Sequence, residues 1–162
     1  MTVRTSMSEA VCPVARSLDL LGDAWTLLIL REVFSGNRRF DGLKDELGIT
    51  DTVLSNRLQR LVDSGLLARS PYGGSVRPRV EYVLTAAGED TLPVLHALAR
   101  WGRRHTTSPV PGGGVLLVEC VVCGQASESA DWCTTCAAPL DRAQTAWRRA
   151  REPEKLVALG TC

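Results

Sequence analysis

Residues 40–65, FDGLKDELGITDTVLSNRLQRLVDSG, decide how this chain folds, because they read as two helices joined by a tight turn. Phe40, Leu43 and Leu47 recur at offsets of three and four and share one helix face, and Gly48 supplies the left-handed residue that ends that helix. Thr50 offers a side-chain oxygen to cap the second helix, Asp51 places negative charge at its positive end, and Gly65 stops it after Ser64. Leu54, Leu58 and Leu61 form its buried stripe, so the opposite side centres on Thr52, Asn56, Gln59 and Asp63, flanked by Ser55 and Arg60. A solvated helix would also be polar there. Short hydrogen-bonding residues with Arg57 and Arg60 towards the edges are equally what a major-groove reading helix needs.

The next residues tip that balance. Residues 66–69 resume as a strand, Pro71-Tyr72-Gly73-Gly74 turns the chain, and residues 80–84 alternate as a returning strand. A hairpin after a reading helix is a wing. Between Thr52 and Val80 the basic residues are Arg57, Arg60, Arg69, Arg77 and Arg79 against Asp63 alone, a local positive footprint that suits phosphate. Global charge gives no such case, since the formal net charge of the 162 residues is +1.

Upstream, residues 1–11 read as a flexible polar N-terminus, and Cys12-Pro13 opens a helix with Leu18 and Leu21 on its apolar side. Gly22-Asp23 breaks it, and residues 24–34 restart as a very apolar helix carrying Trp25, Leu28, Ile29 and Val33. Arg38 and Arg39 lie in a basic turn before Phe40, as suited to phosphate as to water. Downstream, Thr85 is placed to cap a last helix whose Leu92, Leu95, Leu98, Ala99 and Trp101 exceed what one small domain buries, which motivates a dimer. Pro93 kinks that helix or marks its first turn. His96 and His105 read as surface or interface groups, because no nucleophile or acid clusters with them, and no catalytic residue is assigned.

Residues 106–114, TTSPVPGGG, form a linker by composition. Beyond it, Cys120, Cys123, Cys133 and Cys136 stand in two Cys-x-x-Cys knuckles, the strongest chemical signal in the chain. Two such knuckles place four thiolates tetrahedrally around one structural zinc ion, and residues 115–140 are expected to fold around it as a ribbon. A disulfide pair is the bland alternative; so short a segment has no other means of building a core. Iron is the other alternative, and would make the module a rubredoxin-like electron carrier. A short basic helix is expected over residues 141–151 around Trp147, followed by a tail to Cys162. No secretory signal or membrane-length apolar run is visible, so the expected location is the cytoplasm with no membrane partner.

The elements Cys-Pro at 12–13, Leu-Gly-x-x-Trp at 21–25, Arg-Arg-Phe at 38–40, Leu-x-x-Arg-Leu at 54–58 and Val-x-Tyr-x-Leu-Thr at 80–85 stand in one order, with RWGRR at 100–104 behind them. Over residues 12–105 this resembles the HxlR family of bacterial transcription regulators. The resemblance implies a winged helix-turn-helix that works as a homodimer, with first and last helices exchanged across a two-fold axis, on a pseudo-palindromic operator of double-stranded DNA. It also implies a sensing thiol at Cys12; an apolar effector pocket between subunits near Trp25 and Trp101 is the rival switch. The ribbon is no part of the basic family pattern.

The expected fold is therefore mainly α with a small β-wing, plus a small C-terminal zinc ribbon. The expected function is a DNA-binding regulator, a repressor, in which Thr52, Ser55 and Asn56 touch bases, Arg57, Arg60, Arg77 and Arg79 hold phosphate or enter the minor groove beside the wing, and Arg38 and Arg39 contact backbone phosphate. The alternative is a zinc-stabilised interaction module that contacts transcription machinery.

Overall fold

The computed structural model describes residues 6–73, 79–108, 116–148 and 155–160. Along them run α1 (Pro13–Leu21), α2 (Ala24–Phe34), α3 (Phe40–Leu47), α4 (Asp51–Asp63), β1 (Leu67–Tyr72), β2 (Arg79–Leu84), α5 (Ala86–Glu89), α6 (Leu92–His105), β3 (Leu117–Cys120), β4 (Thr145–Arg148) and β5 (Leu156–Ala158). Gly48 ends α3 at φ 64°, and Thr50 Oγ1 caps α4 by accepting the Val53 N–H at 3.4 Å. Asp23 Oδ1 caps α2 from the Trp25 N–H at 3.0 Å. α2 is the spine: its Ile29, Leu30, Val33 and Phe34 are buried in one core with Leu43 of α3 and Leu54, Leu58 and Leu61 of α4.

β1 and β2 pair antiparallel from Leu67↔Leu84 to Tyr72↔Arg79, which is the wing. Its tip, with Arg77, lies outside the described residues. Thr85 does not cap the long last helix. It caps the short α5, accepting the Gly88 N–H at 3.1 Å while donating to the Gly65 carbonyl at 2.5 Å, and so ties the end of the wing to the end of α4. Gly88 is required there, because a Cβ would fall 2.1 Å from the Leu66 carbonyl oxygen. α6 then starts afresh at Leu92 with Pro93 in its first turn, where a missing N–H costs nothing.

The N-terminal residues from Met7 onward are tied to α1: the Met7 N–H donates to Asp19 Oδ1 at 3.1 Å, and Arg16 donates to the Ala10 and Val11 carbonyls at 2.7 Å each. The basic helix expected over 141–151 is corrected by β4, which occupies 145–148. β4 sits between β3 and β5 in a three-stranded antiparallel sheet, so the ribbon runs past residue 140 to at least Ala158. The physical reason lies in side chains that a solvated helix would have exposed: Trp147 is wholly buried, Val118 is its cross-strand partner, and Arg148 pairs with Glu119 at 2.7 Å.

Candidate nucleic-acid interface and metal centre

Burying Leu54, Leu58 and Leu61 turns Thr52, Ser55, Asn56, Gln59 and Arg60 outward, and all five are exposed along one side of α4. Gln59 is already engaged: it donates to Asp63 Oδ1 at 2.6 Å and accepts from Arg69 of β1 at 2.6 Å, which locks wing and helix together. Thr52, Ser55 and Asn56 thus remain as the short polar groups nearest the helix N-terminus, where a recognition helix meets base edges.

Arg57 differs from expectation. Its guanidinium pairs with Asp23 at 2.9 Å, and both side chains are about three-quarters covered, so it ties α4 to the cap of α2 rather than facing outward for phosphate. The root of the wing holds the other cations. The Arg39 guanidinium stacks over the Tyr72 ring at 4.5 Å and its backbone forms an isolated antiparallel β-bridge with that of Glu81, while the Arg38 carbonyl accepts the Tyr82 N–H at 2.8 Å. Together with Asn37, Tyr72 and Arg79, these arginines line an open hollow of about 560 Å³ beside α3. Of the arginines expected to hold phosphate, the described ones other than Arg57 fall in two places, Arg60 on α4 and Arg38, Arg39 and Arg79 at the wing root.

The four expected cysteines come together, with their Sγ atoms all within 4.8 Å of one another. A tetrahedron with arms of ~2.3 Å has edges of about 3.8 Å; Cys120 and Cys136 lie 3.8 Å apart and Cys123 and Cys133 3.5 Å. None is in a disulfide. Each knuckle closes alike: the Gly124 N–H returns to the Cys120 carbonyl at 2.8 Å with φ 68°, and the Ala137 N–H to the Cys133 carbonyl at 2.9 Å with φ 58°. The N–H groups of Cys136 and Thr135 pull the Cys133 thiol down to about 6. The Gln125 N–H lowers Cys123 too, but burial and the neighbouring thiols outweigh it and push it up to about 12. Four converging thiols that cannot all ionise alone are a donor set that calls for a tetrahedral cation. When bound, such an ion supplies folding free energy; the chain's part is to hold four thiolates and shield them with backbone N–H groups.

Residues 20–109, more than half of the chain, match the HxlR-like helix-turn-helix family. The chain belongs to this family. Its relatives include the HTH-type transcriptional regulator Mb3122 of Mycobacterium bovis, itself uncharacterized, 42% identical over 123 residues that cover 76% of each chain. Among solved structures, PA1607, a proposed transcription factor, is 36% identical with a TM-score of 0.69 and covers 83% of this chain and 92% of its own. That cover exceeds what residues 1–108 could supply, so the likeness reaches into the cysteine module. The redox regulator HypR in its oxidized form is 30% identical with a TM-score of 0.55, over 60% of this chain and 100% of its own. This HxlR-family chain is thus a transcriptional regulator with a DNA-binding helix-turn-helix fold, carrying a four-cysteine cluster near its C-terminus.

Other expected residues are scattered. Cys12 is exposed at the start of α1. Trp25 packs against the core, whereas Trp101 is 59% exposed on α6, with its ring 5.2 Å from that of His105. His96 is not a surface group. It is 2% exposed, accepts the Trp147 indole N–H on Nε2 at 3.0 Å, and meets the Ala130 carbonyl through Nδ1 at 2.8 Å; burial lowers its pKa. Glu128, another residue the sequence did not single out, takes Arg103 on both oxygens at 2.6 Å. The clue was faint: His96 lies on the same face as Leu92, Leu95 and Arg103, the covered side of a helix whose other side is apolar and bare.

Proposed function

We propose that this regulator binds a pseudo-palindromic operator as a homodimer in the cytoplasm and represses transcription. The observation that carries the reading is the outward side of α4, where Thr52, Ser55 and Asn56 are exposed opposite three buried leucines. In this reading they contact base edges, Arg60 and the wing-root residues Arg38, Arg39 and Arg79 hold phosphate, and Arg77 extends that set from the wing tip. Arg57 acts from behind by fixing α4 on α2. The homodimer reading rests on bare apolar side chains on two helices: Val14 and Leu18 of α1, and Val94, Leu98 and Trp101 of α6. One structural zinc per chain is assigned to Cys120, Cys123, Cys133 and Cys136, and no enzyme chemistry is assigned.

The switch we favour is oxidation or alkylation of Cys12, supported by its exposure at a helix start and by the likeness to a redox regulator. An apolar ligand between subunits, near Trp25 and Trp101, is the rival; a Cys12→Ser protein that still releases DNA under a quinone-like electrophile would favour it. The DNA reading is tested by titrating the protein with a duplex it selects from a random pool, across a range of salt. Affinity falling steeply with salt yet surviving competitor DNA is the expected result. Weak binding with a flat salt response would favour the protein-contact reading, for which Val121, Val122 and Trp132 offer exposed apolar groups on the ribbon.

A further inference from the structure

α6 has one held side and one bare side. One side carries Leu92, Leu95 and His96, all buried, and meets the ribbon; the other carries Val94, Leu98 and Trp101, all exposed. Trp147 is the centre of the ribbon contact. Its indole N–H donates to His96 Nε2, and its ring lies 5.8 Å from that of Phe34, the last residue of α2. An indole N–H can only donate and a carbonyl can only accept, so a neutral His96 protonated on Nδ1 satisfies Trp147 and Ala130 at once. Around this centre Arg103 grips Glu128, Arg100 donates to the Glu128 carbonyl at 2.8 Å, and Arg142 pairs with Glu89 at 2.7 Å. Val118, Leu140, Trp147 and Leu159 of the ribbon belong to the same buried cluster as the α2 and α4 core.

The same strands reach the cysteines. Trp147 pairs with Val118 on β3, and two residues further along that strand is Cys120. A module this small cannot rest on that packing alone, and the cation its thiolates bind supplies the rest of its folding free energy. Losing that cation would release β3 and β4, withdraw Trp147, and leave Phe34 and His96 facing water.

We propose that the ribbon couples its metal to DNA binding: by seating Trp147 against His96, it holds α6 in the position from which its bare face pairs two subunits. This rests on the zinc and homodimer readings above. In a two-fold dimer, α6 sets the spacing of the two α4 helices, and half-site spacing sets affinity. The regulator would then need a loaded ribbon to bind its operator although no ribbon residue touches DNA.

The test uses the full chain, with zinc bound and after removal by a chelator. Three quantities are read: zinc per chain, amide exchange of residues 92–105 against residues 40–63, and affinity for a duplex selected from a random pool by the loaded protein. Zinc loss is expected to speed α6 exchange at least tenfold and weaken duplex binding at least tenfold, while α3 and α4 keep their protection. Trp147→Phe keeps an aromatic group but loses the N–H donor and part of the indole's bulk, and should shift both readings the same way by about threefold, with zinc retained. If the metal leaves and either α6 exchange or duplex affinity stays unchanged, the coupling is overturned. A preparation that never holds zinc would sink the metal reading alone, and the variants would still decide whether the ribbon holds α6. Should Trp147→Phe fail to fold, Glu128→Ala, a change at an exposed side chain, decides: unchanged exchange in residues 100–105 overturns the proposal.

Discussion

In the winged helix, core partners lie close in sequence: Leu43 of α3 and Leu54, Leu58 and Leu61 of α4 close on Ile29, Leu30 and Phe34 of α2 within some 30 residues. In the ribbon the knuckles close locally, but the contacts that seat the sheet span long stretches, as Val118 to Trp147, Glu119 to Arg148 and His96 to Trp147 do. The first region buries enough leucine to stand on packing. The second is three short strands and two knuckles, and leans on its thiolates and on α6. A protein built this way should respond differently to damage in its two halves.

The largest effect is expected from Cys120→Ser. Structural zinc binding is worth about 10–16 kcal/mol in small metal-folded peptides, so losing one ligand should abolish ordered β3–β5. Elemental analysis and amide exchange of residues 117–148 would show it; a ribbon still protected in that variant would mean packing alone holds it. Next comes Leu58→Ala, at a site with no exposed surface, which should lower unfolding free energy by about 2–5 kcal/mol in denaturant titration. A cost well below that range would mean the α2–α4 core is looser than its burial indicates. Smaller again is Arg57→Ala, which breaks a partly covered pair with Asp23 and should cost about 1 kcal/mol of stability. Its effect on binding should track α4 mobility rather than salt slope.

The smallest effect concerns His96. Burial holds its pKa below the ordinary value of 6.5, so folding favours the neutral ring. Its contribution is therefore complete above about pH 6.5, and declines as acid protonates the unfolded chain while the folded one resists. An NMR titration should place its midpoint below about 6.5 with the proton on Nδ1; a midpoint above that would break the assigned contact with Trp147.

Legibility followed the same division. Gly48, Thr50 and the leucines of α4 announce the helix-turn-helix because caps and stripes are local signals, and the cysteine knuckles announce themselves by spacing. Thr85 was recognisable as a cap, but of α5, since the helix breaks at Asp90-Thr91 before α6 begins at Leu92. The segment at 145–148 read as a basic helix because its neighbours Arg142, Arg149 and Arg151 suggest a solvated face. Its partners make it a strand: β3, whose Val118 lies 29 residues before Trp147, and β5 beyond it. Arg57 likewise looked like a phosphate ligand until the fold brought Asp23 beside it. Partners far along the chain leave no periodicity to read.

If the outward side of α4 reads bases, Asn56→Ala should separate specific from non-specific binding. Affinities of wild type and variant are measured for the selected duplex and for a scrambled duplex of equal length at one salt concentration. The expected result is a loss of about 1–3 kcal/mol on the selected duplex and none on the scrambled one. Equal losses on both, or no loss on either, would contradict it.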